Sequence, residues 1–197
     1  MTLRRAIFFF RNPLAGLPLL IAFIVTIATT EGPAQTADPT SLRPTLIGGF
    51  VLAAAGVALR AWSACHNSYG RSRPKSLATT GPYAINRNPL YVGSAAIIAG
   101  GVLASDIPFA LAACAASFAW SILIFDVVVQ LEEVRLEIRY GADYLRYKRS
   151  IPRWKPQRPT DLAIGDESNR FLLEIFSELP GFLVFAPWVA LRLAQAG

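Results

Sequence analysis

The residues able to do chemistry in this 197-residue chain gather in two polar stretches, Cys65 to Asn88 and Leu131 to Arg170. The first runs into Gly81-Pro82-Tyr83 and Arg87-Asn88-Pro89-Leu90-Tyr91-Val92-Gly93, and the second opens with Glu132, Glu133 and Arg135. Gly81-Pro82 and Asn88-Pro89 each restrict the backbone, so two fixed turns present Tyr83 and Arg87. Pro89 suits a first helical position, where its missing N–H is not needed. Glu132 and Arg135 are three residues apart and share a helix face. Taken alone, these groups suit an interfacial belt, with tyrosines at headgroup level and Arg and Lys on anionic lipid. The ordered succession of Gly-Pro-Tyr and Arg-Asn-Pro-Leu-Tyr-x-Gly favours a cradle for a ligand.

Several other chemistries lack their residues. His66 is the only histidine, and no His, Cys, Asp and Glu cluster has metal-ligand spacing. There is no Gly-x-Ser-x-Gly nucleophile elbow. None of the 14 glycines forms Gly-x-Gly, which excludes a Rossmann-type phosphate loop.

The elements that must position these groups are membrane helices. The chain is 53% hydrophobic and only 16% charged, the reverse of a soluble domain with a charged surface. Apolar runs at Leu14 to Thr30, Thr45 to Ala64, Pro89 to Ala104, Ile107 to Gln130 and Phe171 to Leu193 give five candidate spans, at about 20 residues per crossing. The predicted fold is all-α, a polytopic helical membrane protein forming a single domain over 1–197 with a cofactor-binding core at 75–153. With the N-terminus in the cytoplasm, 17 of the 19 basic residues fall inside, leaving Arg43 and Arg192 outside. Both polar stretches then lie on the cytoplasmic side. This distribution suits topology rather than nucleic acid.

Arg4, Arg5 and Arg11 before an apolar run resemble a secretory signal, but the run is long for a signal core and reads as an uncleaved first span. Spans three and four are expected to form a tight hairpin through Ser105 and Asp106, with Pro108 opening the second helix. Span four should continue out of the membrane through Glu132 and end at Gly141, with a further helix over Ala142 to Arg149 carrying Tyr144, Tyr147 and Lys148. The fifth segment contains Glu174 and Glu178 and is broken by Pro180, Gly181 and Pro187, so its carboxylates must meet protein or water. Cys65 and Cys114 read as small packing residues.

Gly81-Pro82-Tyr83, Arg87 to Gly93, Glu132-Glu133, Tyr140-Gly141-Ala142-Asp143-Tyr144-Leu145-Arg146-Tyr147 and Ile151-Pro152-Arg153 together resemble the isoprenylcysteine carboxyl methyltransferase and phospholipid methyltransferase superfamily. The resemblance covers Lys75 to Arg153. It implies S-adenosylmethionine held by cytoplasmic loops and a lipophilic acceptor entering from the bilayer. Cofactor contacts would fall on Lys75, Ser76, Leu77, Ala78, Tyr83, Asn88, Pro89, Leu90, Tyr91 and Glu132. Asn88 stands where many relatives have His, and a carboxamide keeps hydrogen bonding but does not titrate near neutrality. Val128 stands where the prenylcysteine enzymes have an arginine for the substrate carboxylate, which leaves Arg87 and Arg135 as replacements or the acceptor without a carboxylate. Methyl transfer depends mainly on alignment. An amine acceptor must also lose a proton, for which Glu133 is the candidate base, its alternative being a solvated carboxylate on a helix face. Two other functions fit the pattern: an NADPH-dependent membrane sterol or isoprenoid reductase, using Arg71, Arg73 and Lys75 on phosphate, and a non-catalytic membrane scaffold.

Overall fold

A computed structural model describes residues 10–30, 44–67, 77–105, 107–158 and 175–186. The described residues contain no strand. Among the described residues the principal α-helices are, in order, α1 Arg11–Ala15, α2 Leu17–Thr30, α3 Pro44–His66, α4 Pro89–Ala104, α5 Ala110–Tyr140 and α6 Ala142–Ser150. Short 3-10 segments occupy Gly81–Ala84 and Leu179–Phe185.

α3 and α5 are long and apolar enough to cross a membrane, and α2 and α4 are shorter apolar helices. At 1.5 Å per residue α5 is about 46 Å long, well beyond a hydrocarbon core of about 30 Å. Its charged C-terminal turns therefore project past the apolar layer. Large apolar side chains point outward: Val51 is 63% exposed on α3 and Leu123 is 66% exposed on α5. In water such a surface would aggregate, whereas in a bilayer it is solvated by lipid.

α4 is apolar all round and correspondingly central, with 11 residues buried. Its most extensive packing is against α3. The cause is a row of small residues: a Cβ on Gly56 would lie 2.6 Å from the Gly93 carbonyl oxygen, and one on Gly49 would lie 2.5 Å from that of Gly100. Backbone meets backbone here, which maximises dispersion contact where lipid offers no hydrophobic drive to association.

The segmentation differs from the sequence expectation in three places. The first apolar run divides at Gly16, because α1 is pinned to α5 by Trp120 Nε1 donating to the Leu14 carbonyl (2.8 Å) and Ser121 Oγ donating to that of Ala15 (3.2 Å). Pro108 does not open α5: Phe109 intervenes in the left-handed region, with φ 58°, and the helix begins at Ala110. In the fifth segment residues 175–178 are α-helical, then Pro180 and Gly181 lie in the 3-10 segment, so the described part is not one regular α-helix. Glu174 and Pro187 lie outside the described residues. Gly141 does end α5, with φ 52° and ψ −123°, a conformation open essentially to glycine, and α6 starts at the next residue. Cys65 and Cys114 form no disulfide.

Candidate functional site

Where α5 leaves the apolar layer, its face meets the turns of the first polar stretch around a cavity of about 650 Å³. The 3-10 turn Gly81–Ala84 is buried throughout and sets Tyr83 against Tyr144, Tyr147 and Ile151. Gly81 takes φ +59° there, and any Cβ would sit 2.5 Å from the His66 ring. Tyr147 donates from its hydroxyl to the Tyr83 carbonyl oxygen at 2.8 Å, tying α6 to the turn. Burial pushes the Tyr144 hydroxyl up to about 12, and raises that of Tyr147 as well, so both rings stay neutral.

A second set of bonds clamps the Arg87-Asn88 loop against the chain after α6. The Arg87 N–H donates to the Pro152 carbonyl oxygen (3.0 Å), Asn88 Nδ2 to that of Arg153 (3.2 Å), and the Gln157 N–H to that of Ile85 (3.1 Å). Beneath lies an ion cluster centred on Glu133. Arg153 grips that carboxylate through Nε (3.0 Å) and Nη2 (2.7 Å), with Arg87 Nη1 at 2.9 Å and Lys148 Nζ at 3.5 Å. Arg153 also donates to Asp126, which accepts from Trp154 Nε1 at 2.8 Å. Burial disfavours the charged form of Glu133, but the Arg153 hydrogen bonds and the charges of Arg87, Arg153 and Lys148 prevail and hold its carboxyl below the ordinary value.

Of the residues marked out by sequence, Leu77, Ala78, Tyr83, Arg87, Asn88, Leu90, Tyr91, Glu132 and Arg135 all line the one cavity. Pro89 is buried as the first residue of α4 and lies behind the wall. Lys75 and Ser76 fall outside the described residues. Glu133 does not line the cavity and is only 4% exposed, a correction to its reading as a solvated carboxylate: one residue past Glu132, a helix turns by 100° and points it into the cation cluster. Val128 is fully enclosed and does not reach the cavity wall.

Glu132 is ordered by Tyr91, whose hydroxyl donates to Oε1 at 2.8 Å across from α4. The Tyr91 ring in turn rests on Phe125, with centroids 4.8 Å apart. Arg87, which pairs with Glu133, also lines the cavity, and its Nε is buried without a hydrogen-bond partner among the described residues.

Sequence reasoning gave no role to Arg60, Arg139 or Ser94, which also line the cavity, nor to Asp126, and it marked Tyr140 and Arg153 only as parts of family motifs. Two of these carried a signal. Arg60 and Asp126 are lone charges inside apolar helical runs, and such a charge needs a partner or a polar cavity.

The cavity thus joins a carboxylate, arginine guanidinium groups and a group of tyrosines at the polar end of an apolar helical bundle. No curated protein and no solved structure matches the chain significantly. The sequence profile of one family, phospholipid methyltransferase, matches residues 44–143, which run from α3 through α5 and hold most of the cavity wall. Matching half the chain over the helices that build the site, it identifies this membrane-associated protein as a member of the phospholipid methyltransferase family.

Proposed function

We propose that the protein transfers a methyl group from S-adenosylmethionine to a lipophilic acceptor, with the cavity as the cofactor site. The observation that carries this reading is the convergence of Glu132, fixed by Tyr91, with Tyr83, Asn88 and Arg87 on one cavity. Its volume of about 650 Å³ lies within the range of small-molecule sites, about 300–1,000 Å³.

The residues fit this cofactor group by group. Glu132 would take its ammonium or ribose hydroxyls. Tyr83 and Tyr91 offer rings to the adenine or the sulfonium. Asn88, already donating to the Arg153 carbonyl, keeps its amide oxygen as an acceptor, and Arg87 would meet the carboxylate. When bound, the cofactor supplies an electrophilic methyl group on a sulfonium. The protein's part is alignment: the clamped 84–88 loop and the tyrosine cluster hold the site rigid.

Glu133 serves as the anchor of that alignment. A carboxylate held by three cations is a weak proton acceptor, and it lies behind the wall. The proposed topology is multi-pass, with the N-terminus and the cavity on the cytoplasmic side, supported by the location of 17 of 19 basic residues.

Calorimetric titration of the detergent-purified protein with S-adenosylhomocysteine and, separately, NADPH tests the reading. Micromolar binding of S-adenosylhomocysteine alone is expected. Binding of NADPH alone would move the protein to the reductases, and binding of neither would leave a scaffold.

A further inference from the structure

The polar end of α5 keeps one apolar face. Val134 and Ile138 are 54% and 82% exposed, although they stand among Glu132, Glu133, Arg135, Glu137 and Arg139. At 100° per residue they fall within about 60° of Leu123, on the face that α5 turns to lipid within the span. The exposed residues Ala112, Ala116 and Trp120 continue the same face towards the start of the helix. Glu132 and Leu136, which line the cavity, lie roughly opposite it.

This face is longer than the hydrocarbon layer. From Ala112 to Ile138 it covers about 39 Å at about 1.5 Å per residue, against about 30 Å of hydrocarbon and about 40–45 Å with both headgroup layers included. A tilt of about 25°, inside the range of about 0–40° seen for membrane helices, fits it to the bilayer. With Ala112 at the far hydrocarbon edge, Val134 then reaches the near edge and Ile138 lies about 5 Å beyond, in the headgroup layer.

The neighbouring charges select the kind of leaflet. Arg135 and Arg139 each follow one of the two apolar residues and are themselves exposed, and their long stems reach to lipid phosphate. The nearby carboxylates do not oppose this, because Glu133 and Glu137 pair with Lys148 of α6 and Glu132 accepts from Tyr91. Two apolar side chains make too small a patch for a stable protein interface, which takes about 800 Å² per partner, but they extend a face that lipid already covers.

We propose that the 131–140 limb of α5 is an interaction surface for anionic lipid headgroups, with Val134 and Ile138 seated at the edge of the acyl chains and Arg135 and Arg139 on the phosphates. These lipids are contacts and not methyl acceptors, so the inference stands independently of the methyl-transfer reading. Arg135 and Arg139 also line the cavity, and their seating sets that wall of the cavity at headgroup level rather than in open water.

The test labels residue 138 with a nitroxide through Ile138→Cys in full-length protein carrying Cys65→Ala and Cys114→Ala. The protein is reconstituted in vesicles of phosphatidylcholine alone, or of phosphatidylcholine and phosphatidylglycerol in equal parts. Paramagnetic resonance compares collisions with oxygen, which concentrates in the bilayer, and with a water-soluble nickel chelate. Labels introduced by Leu123→Cys and Arg146→Cys mark the hydrocarbon and water limits. In the mixed vesicles the oxygen-to-nickel ratio at 138 should exceed that at 146 several-fold and stay below that at 123. It should fall in phosphatidylcholine alone, and Arg135→Gln/Arg139→Gln should remove the difference between the two vesicles. A ratio at 138 equal to that at 146 overturns the seating. Poor access of both reagents to 138 also overturns it, since protein would then cover the face. Equal ratios in the two vesicles, or a difference that survives the arginine substitutions, overturn the assignment to anionic lipid through these residues.

Discussion

Replacing Glu133 by Gln separates an anchoring role from a catalytic one. The carboxylate is 4% exposed and accepts two hydrogen bonds from Arg153, with Arg87 at 2.9 Å and Lys148 at 3.5 Å. Breaking a buried ion pair from one side costs about 3–5 kcal/mol, because the partner charges stay behind unpaired. Arg153 and Lys148 are about a third exposed and regain some hydration, which places the expected loss near the lower limit, about 3 kcal/mol. For a chain of this size that corresponds to a fall in Tm of about 6–12 °C, read by thermal unfolding in detergent. The effect carries a pH signature. The Glu133 carboxyl is held below its ordinary value of 4.5, so its stabilisation is present above that pH and disappears as pH falls through the lowered value. The Tm gap between wild type and variant should therefore close in acid. The double variant Glu133→Leu/Arg153→Met should recover only part of the loss, since Arg87 and Lys148 are still left without Glu133 and Asp126 loses Arg153. A Glu133→Gln protein with wild-type Tm and S-adenosylhomocysteine affinity, but with turnover lost, would refute the anchoring argument and make Glu133 the base.

Three further outcomes follow from the same geometry. Glu132→Gln keeps a hydrogen-bond acceptor for Tyr91 but removes the charge, and S-adenosylhomocysteine affinity measured by calorimetry should drop about tenfold, roughly 1.4 kcal/mol; unchanged affinity takes Glu132 out of the site. Gly56→Val forces its Cβ to within 2.6 Å of the Gly93 carbonyl oxygen, and separating α3 from α4 should lower stability by about 1–3 kcal/mol, so a wild-type denaturation midpoint would contradict the close packing. Gly141→Ala meets no neighbour within 4 Å but must hold φ 52°, and should cost about 1–3 kcal/mol through backbone strain alone; a stabilised variant would show that the α5–α6 corner does not need this conformation.

Much of the architecture is written locally. The apolar runs, the break at Gly141 and the helix start at Pro89 follow from side-chain hydropathy and from two residues with special backbones, both readable without knowing any neighbour. The all-helical class and the membership of a membrane methyltransferase family were legible for the same reason, because ordered motifs such as Gly81-Pro82-Tyr83 and Arg87 to Gly93 are contiguous in sequence. Helix ends were less legible where a distant residue sets them. The division at Gly16 depends on Trp120 and Ser121, more than 100 residues away.

The cavity depends on still longer connections. Sequence places Glu132 and Glu133 side by side and offers no reason to separate them, whereas the 100° turn of a helix sends one to the cavity with Tyr91 and the other to Arg87, Lys148 and Arg153. Arg60 reads from sequence only as an awkward charge in an apolar helix. Its partners, Ser94 and Glu178, lie 34 and 118 residues further along, and only the close approach of α3 and α4 at Gly93 brings them together. Hydropathy and turn chemistry are properties of a segment and can be read from it; a paired charge is a property of two segments, and tertiary packing alone chooses the pair.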